Sequence, residues 1–260
     1  MRDLLGALSF LTRVPTGTGA VQPAEIARFV PWFPLVGALV GVVVGGLYAG
    51  ASVLLPPLVA AAVAVTAGVA VTGAFHEDGL GDTADAFVGG GDREDTLRIL
   101  KDPRLGTFGV AAVAASLLLR VAAVAALTPS SALAALPAAH ALSRATAVGV
   151  MAVFPPAAET GLGAAYARAL SGRQALLGVA TGMILAVALL GAWALPAAGL
   201  AGVAALGLGR VARRRVGGVG GDVLGAVQQA GEILTLLVAV AAGSWVSPVS
   251  SLIAFQLMPA

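Results

Sequence analysis

Asp78, Asp82 and Asp85 stand at positions i, i+4 and i+7, a spacing that on one helix confines them to an arc of roughly 60°. Carboxylates on one face repel each other until a cation sits among them. Their hard oxygens suit Mg²⁺, which takes one or two carboxylates together with phosphate oxygens. His76 and Glu77 precede the set and point elsewhere on a regular helix; for His76 a base, a phosphate donor and an interfacial histidine all fit. Gly79 and Gly81 weaken the helix but let a phosphate approach the backbone. Downstream, Lys101-Asp102-Pro103-Arg104 reads as a turn, because Pro103 bars a helix running through from Asp102. Lys101 and Arg104 suit a pyrophosphate, Arg with its planar fork. The same two residues also fit the positive anchor of a membrane helix.

A second group lies late in the chain. Gly217-Gly-Val-Gly220-Gly221-Asp222 is a loop whose backbone amides could cradle a phosphate. It is no Walker motif, since no Gly-Lys-Ser/Thr follows. Asp222, Gln229 and Glu232 recur on one helical side and are expected to form a second acidic wall facing the first. His140 and Arg144 are one turn apart and would share a face, with Arg144 reaching a phosphate. Arg120 is expected to pair with a carboxylate for structure. The chain has no Cys, so it has neither a disulfide frame nor a thiolate metal site.

The elements that must position these groups belong to a membrane. The chain is 58% hydrophobic and 11% charged, with a mean hydropathy of +0.95. Such values exclude an ordinary soluble domain and a disordered chain alike. A net charge of +2 with 5% aromatics gives no basic, base-stacking surface, so nucleic acid is not expected as a partner. Spans of about 20 apolar residues are predicted at roughly 31–54, 57–75, 107–128, 131–154, 174–193, 195–212 and 231–252. The prediction is an all-α, polytopic helical bundle of about seven transmembrane helices, one integral membrane domain over 1–260. The start, Met-Arg-Asp-Leu-Leu, lacks the pattern of a cleaved signal, so an unprocessed chain is expected. Segment 4–14 reads either as a helix along the membrane surface or as a frayed leader. Arginines and Lys101 fall on alternate connections, while those near 55, 129 and 194 carry no charge. The positive-inside rule then places every charged loop in the cytoplasm. Gly37, Gly41 and Gly45 form a Gly-x-x-x-Gly stripe for close helix packing, a candidate subunit interface in a homo-oligomer.

Asp78-Gly-Leu-Gly-Asp82-Thr-Ala-Asp85 with Lys101-Asp-Pro-Arg104-Leu-Gly-Thr-Phe-Gly109 closely resembles cobalamin synthase, the adenosylcobinamide-GDP ribazoletransferase family. Leu8-Ser-Phe-Leu-Thr-Arg13-Val-Pro15, Trp32-Phe-Pro-Leu-Val-Gly37, Ser143-Arg144, the motif from Glu159 to Ala165, and Gly217 to Ala226 with Glu232 follow in the same order. The chain departs from the family at Gln229, where several members carry an acidic or other polar residue. The resemblance implies transfer of the cobinamide phosphate of adenosylcobinamide-GDP to α-ribazole or its 5′-phosphate, with release of GMP. It implies Mg²⁺ on Asp78, Asp82 and Asp85, phosphates gripped by Lys101 and Arg104, and Asp85 or Asp222 as proton acceptor. His76, Arg144, Gly220 and Gly221 complete the expected substrate contacts, at the cytoplasmic face of the cell membrane. A phosphatidyl-type alcohol phosphotransferase would need an Asp-Gly-x-x-Ala-Arg opening, which is missing. A transporter would place acids at mid-membrane in repeated halves, and no halves repeat here.

Overall fold

A computed structural model describes residues 2–17, 25–157 and 170–256, with side chains as far as 243. The motif at 159–165 and Arg168 lie outside the described residues. Eleven helices are described: α1 (Arg2–Leu11), α2 (Ile26–Phe29), α3 (Phe33–Ala51), α4 (Pro57–Thr72), α5 (Phe75–Gly89), α6 (Arg93–Ile99), α7 (Thr107–Ala126), α8 (Pro129–Val153), α9 (Gly172–Leu190), α10 (Ala194–Val216) and α11 (Gly221–Gln256). Among the described residues, the only β pairing is an isolated bridge from Pro156 to Val219.

By length and composition, five helical segments can cross a membrane: Ile26–Ala51, Thr107–Ala126, Pro129–Val153, Gly172–Val216 and Gly221–Gly243. The bent pair α4–α5 makes six. Seven requires Gly172–Val216 to cross twice. Its 45 residues would span about 68 Å as one helix, more than two hydrocarbon thicknesses. Gly191, at φ 57° and ψ −134°, interrupts it between α9 and α10. The last predicted span begins earlier than expected, at Gly221 rather than near 231. The polar residues that hid this start, Gln228, Gln229 and Glu232, are buried inside the bundle rather than facing lipid.

α8 is the axis. It packs against α3, α9, α10 and α11, and Ala135, Ala138, Ala139 and Ala141 along it are essentially inaccessible. The glycine stripe of α3 is spent on this contact. A Cβ at Gly37 would strike the His140 carbonyl, and one at Gly41 would lie 2.5 Å from the Pro137 Cα. The expected subunit-interface role is therefore corrected: the small residues bring α3 against a helix of the same chain, where van der Waals packing needs close backbones. Lower in the bundle, Tyr48 donates its hydroxyl to the Leu127 carbonyl at 2.9 Å, within a core of Val40, Val44, Val124, Leu136 and Leu236.

The feature that turns a membrane helix into a site is the elbow between α4 and α5, a bend of 88°. Gly73 (φ 67°) and Ala74 (φ 58°) are both left-handed. Their amides close on the Ala70 and Val69 carbonyls at 3.2 and 2.9 Å, the helix stop that such a pair makes. For Ala74 this conformation costs roughly 1–2 kcal/mol. The motif at 8–15 holds the bend. Arg13 donates its amide to the Val71 carbonyl at 2.7 Å, and its side chain covers Gly73. α1 is no frayed leader: Gly6, Ala7 and Leu11 are buried. Phe10 stacks on Phe33 and meets Phe75 edge-on, both at 5.5 Å. Beyond the elbow, α5 lies across the bundle end and packs on α7 and α11. We read it as outside the membrane-spanning segments, with only its first turn plugged into them.

Candidate active site

The two acidic segments meet where α5 crosses α11. Gly79 leaves no room for a side chain, since a Cβ there would lie 2.8 Å from the Asp222 carbonyl oxygen. On the other helix, Gly225 faces the His76 carbonyl and the Gly79 Cα. These glycines let the backbones approach so closely that Asp222 joins the electrostatic surroundings of the first cluster. Burial, followed by the charges of Asp78, Asp222 and Asp85, pushes the Asp82 carboxyl up to about 6. None of the described salt bridges includes Asp78, Asp82 or Asp222. Three mutually repelling carboxylates without a cation suit a divalent ion. No set of three or more acidic or histidine side chains is already arranged around a metal position among the described residues. An ion here would take at most two carboxylates from the chain and the rest of its ligands from phosphate and water, as Mg²⁺ can.

Asp85 has a further task. Its carboxylate accepts the Gly106 amide at 2.6 Å and the Gly109 amide at 2.8 Å, so it caps the first turn of α7. A Cβ at either glycine would strike this carboxylate. That is the physical content of Leu-Gly-Thr-Phe-Gly in the second motif. What Asp85 has left for a metal is its remaining lone pairs.

The two cations of that motif diverge. Arg104 is exposed and grips Asp102 with its fork, Nε to Oδ1 at 2.9 Å and Nη2 to Oδ2 at 2.7 Å. Hydrogen bonds from Arg104 hold the Asp102 carboxyl down at about 2. Arg104 and Asp85 border one shallow cleft. Lys101 lines a different groove, with Arg93 and Arg98. In the glycine loop, Val219 donates its amide to the Pro155 carbonyl at 2.8 Å, so that amide cannot serve a phosphate. Gly220 and Gly221 face open space and lead into the first turn of α11, where helix amides favour an anion. Arg93 and Arg215 fasten this region from the side. The Arg93 Nε donates to the Val216 carbonyl at 3.3 Å, and the Arg215 Nη1 to the Gly90 carbonyl at 3.0 Å.

Beneath the site lies a buried ionic network. Arg120 donates to Glu77 at 2.7 Å and to Glu232 at 3.2 Å. Gln228 donates to Glu232 at 2.6 Å and to Ser143 at 3.2 Å. Gln229 donates to Glu77 at 3.2 Å and accepts from Ser116 at 2.6 Å. The His140 Nδ1 stands 3.4 Å from Glu232 and 3.2 Å from the Arg144 Nη1. The structural pairing expected of Arg120 is thus present, and His140 and Arg144 do share a face. The anticipated second wall divides: Asp222 faces the first cluster, whereas Glu232 is turned inward and neutralised. Gln229 is a bridge in the same network. Glu77 was missed as a participant, although it adjoins Asp78. Its helix starts at the elbow, so its first turn enters the bundle. His76 is buried beside it, against Phe75.

Comparison with known proteins fits these motifs. A family model described as cobalamin-5-phosphate synthase matches residues 3–240. The adenosylcobinamide-GDP ribazoletransferase of Azorhizobium caulinodans is 41% identical over 249 residues, covering 91% of this chain and 94% of that protein. The one from Bradyrhizobium diazoefficiens is 43% identical over 245 residues, covering 92% and 93%. The Pseudomonas aeruginosa protein of the same name is 45% identical over 201 residues, covering 75% and 81%. No solved structure matches. With the family model spanning nearly the whole chain and relatives above 40% identity along most of it, the protein belongs to the cobalamin-5-phosphate synthase family.

Proposed function

We infer that this chain performs the reaction for which its relatives are named. The cobinamide phosphate of adenosylcobinamide-GDP passes to a hydroxyl of α-ribazole or its 5′-phosphate, and GMP leaves, late in cobalamin biosynthesis. The observation that carries the reading is the crossing of α5 and α11, where Gly79 and Gly225 admit Asp222 to the Asp78–Asp82 cluster. An attacking hydroxyl oxygen bonds to the phosphorus attached to cobinamide, the bond from that phosphorus to the GMP oxygen breaks, and the hydroxyl proton goes to a carboxylate. Asp222 is the acceptor we favour, because both oxygens of Asp85 already receive amide hydrogens. Asp78 and Asp82 would hold Mg²⁺, which would supply positive charge against the pyrophosphate and the leaving GMP. Arg104, released from Asp102, offers a bidentate grip on the phosphates. Gly220 and Gly221 offer backbone amides. Positioning and electrostatics dominate phosphoryl transfer, so no covalent nucleophile is required of the chain. The deciding assay is GMP release by purified protein given adenosylcobinamide-GDP, α-ribazole and Mg²⁺. No release, with the protein folded, overturns the reading.

The site is proposed to face the cytoplasm, by the positive-inside rule. The chain contains no Cys, so single cysteines at Asp92, Leu170 and Arg214 report cleanly. In intact cells an impermeant maleimide should leave all three unlabelled and should label them after permeabilisation. Labelling before permeabilisation would reverse the orientation.

A further inference from the structure

A second cavity adjoins the acidic site and shares His76, Arg144 and Gln228 with the small polar one around Glu77 and Arg120. It offers about 490 Å³ of empty space, counting the open solvent at its mouth. Phe10, Phe33 and Phe75 line one side, Ala147 and Met151 of α8 another. α11 contributes Gly221, Leu224 and Gly225, so the pocket shares with the acidic site the stretch of α11 on either side of Asp222. Its polar groups are His76, Arg144 and Gln228. Gln228 is committed to Ser143 and Glu232. Arg144 is 2% exposed and its Nε has no hydrogen-bond partner. A buried guanidinium nitrogen left unpaired is costly, unless something else accepts from it.

We propose that this pocket seats the aromatic base of the ribazole nucleoside. The inference rests on the activity proposed above and names the part of that site that holds the acceptor. A benzimidazole is flat, bicyclic and apolar over most of its surface. Once its other nitrogen carries the ribose, it keeps one ring nitrogen as an acceptor. The pocket offers aromatic and aliphatic walls, and Arg144, whose Nε–H is uncommitted, stands among its lining residues. The competing base is guanine, which also has acceptors for an arginine but presents N–H donors that want an acceptor such as a carboxylate. Among the described residues no carboxylate lines this pocket, and burying those donors unpaired is unfavourable. With the base in the pocket, its ribose lies at the Gly221 end, toward Asp222.

The test separates the two substrates by steady-state kinetics. Met151→Phe and the smaller Ala147→Val fill the pocket without touching the aspartates. Each should raise the KM for α-ribazole, Met151→Phe by about tenfold or more. The KM for adenosylcobinamide-GDP should stay within about twofold. Met151→Ala removes volume instead, and should lower the KM of a bulkier naphthimidazole riboside relative to that of α-ribazole. Should Met151→Phe fail to insert, the other two variants carry the test. An unchanged ribazole KM, or a rise confined to adenosylcobinamide-GDP, overturns the assignment and leaves the cavity to another occupant such as a lipid chain. Absence of GMP release from the parent protein would count against the proposed activity, not against the pocket.

Discussion

Asp82→Asn is expected to lower turnover by about 10³-fold, at the upper end of losing one preorganised electrostatic group, while the protein stays folded and membrane-inserted. A neutral amide is a poorer ligand for Mg²⁺ and adds no charge for the ion to balance. Stability should move the other way. In the folded chain the Asp82 carboxyl is pushed up to about 6 from its ordinary 3.8, through burial and the neighbouring Asp78, Asp222 and Asp85. A raised carboxyl favours folding fully below the unfolded value. That contribution is lost as pH rises between about 3.8 and 6, because the folded state must give up a proton it binds more tightly. Asn has no such dependence. Thermal melts in chelator should therefore show the variant at least as stable as the parent at pH 7.5, with a flatter profile from pH 4 to 6. Solvent screening at this half-buried group keeps the difference small. Near-normal turnover at saturating Mg²⁺, or a variant clearly less stable than the parent at pH 7.5, would sink the assignment.

The aspartate face was legible because i, i+4 and i+7 spacing survives any detail of packing. So was the meeting with Asp222, since one helix side cannot by itself surround the proposed Mg²⁺-pyrophosphate. Glu77 was not. Its direction depends on where α5 begins, and only Gly73 and the left-handed Ala74 stand between the end of α4 and that start. The glycine just past an apolar run was the available signal. Arg120 announced its need for a partner by lying in an apolar helix. Nothing in sequence separation points to Glu77 and Glu232, which reach it from two other helices. Likewise Gly37 and Gly41 predict close packing but not the packing partner, and α8 of the same chain takes that place. The span count blurred for a related reason. Polar residues on α11 turn into the network, and the break at Gly191 separates two helices within one apolar run.

Arg120→Met should destabilise the protein by about 3–5 kcal/mol, the cost of removing one partner from a buried ion pair. Arg120 is 4% exposed and is the shared cation of Glu77 and Glu232, themselves 6% and 3% exposed. Its two terminal nitrogens reach different carboxylates, Nη2 to Glu77 and Nη1 to Glu232. Met leaves both acids without that cation. Arg120→Lys keeps the charge but replaces the planar fork with a single ammonium, so it should recover only part of the loss. Replacing the charges together, Arg120→Met with Glu77→Gln and Glu232→Gln, should recover part of it, because the two acids leave with their shared cation while Arg144 stays behind as a buried charge. These melts, in detergent and at constant lipid, separate a structural network from a mere neighbour effect. Activity should follow by a distinct route, since Glu77 precedes Asp78 and anchors the first turn of α5. Loosening that turn misplaces the aspartate face even in molecules that remain folded, and misplacement of about 1 Å is enough to cost roughly 10² in rate. An Arg120→Met protein within 1 kcal/mol of the parent, or a triple variant no more stable than the single one, would show that the network does not hold the elbow to the bundle.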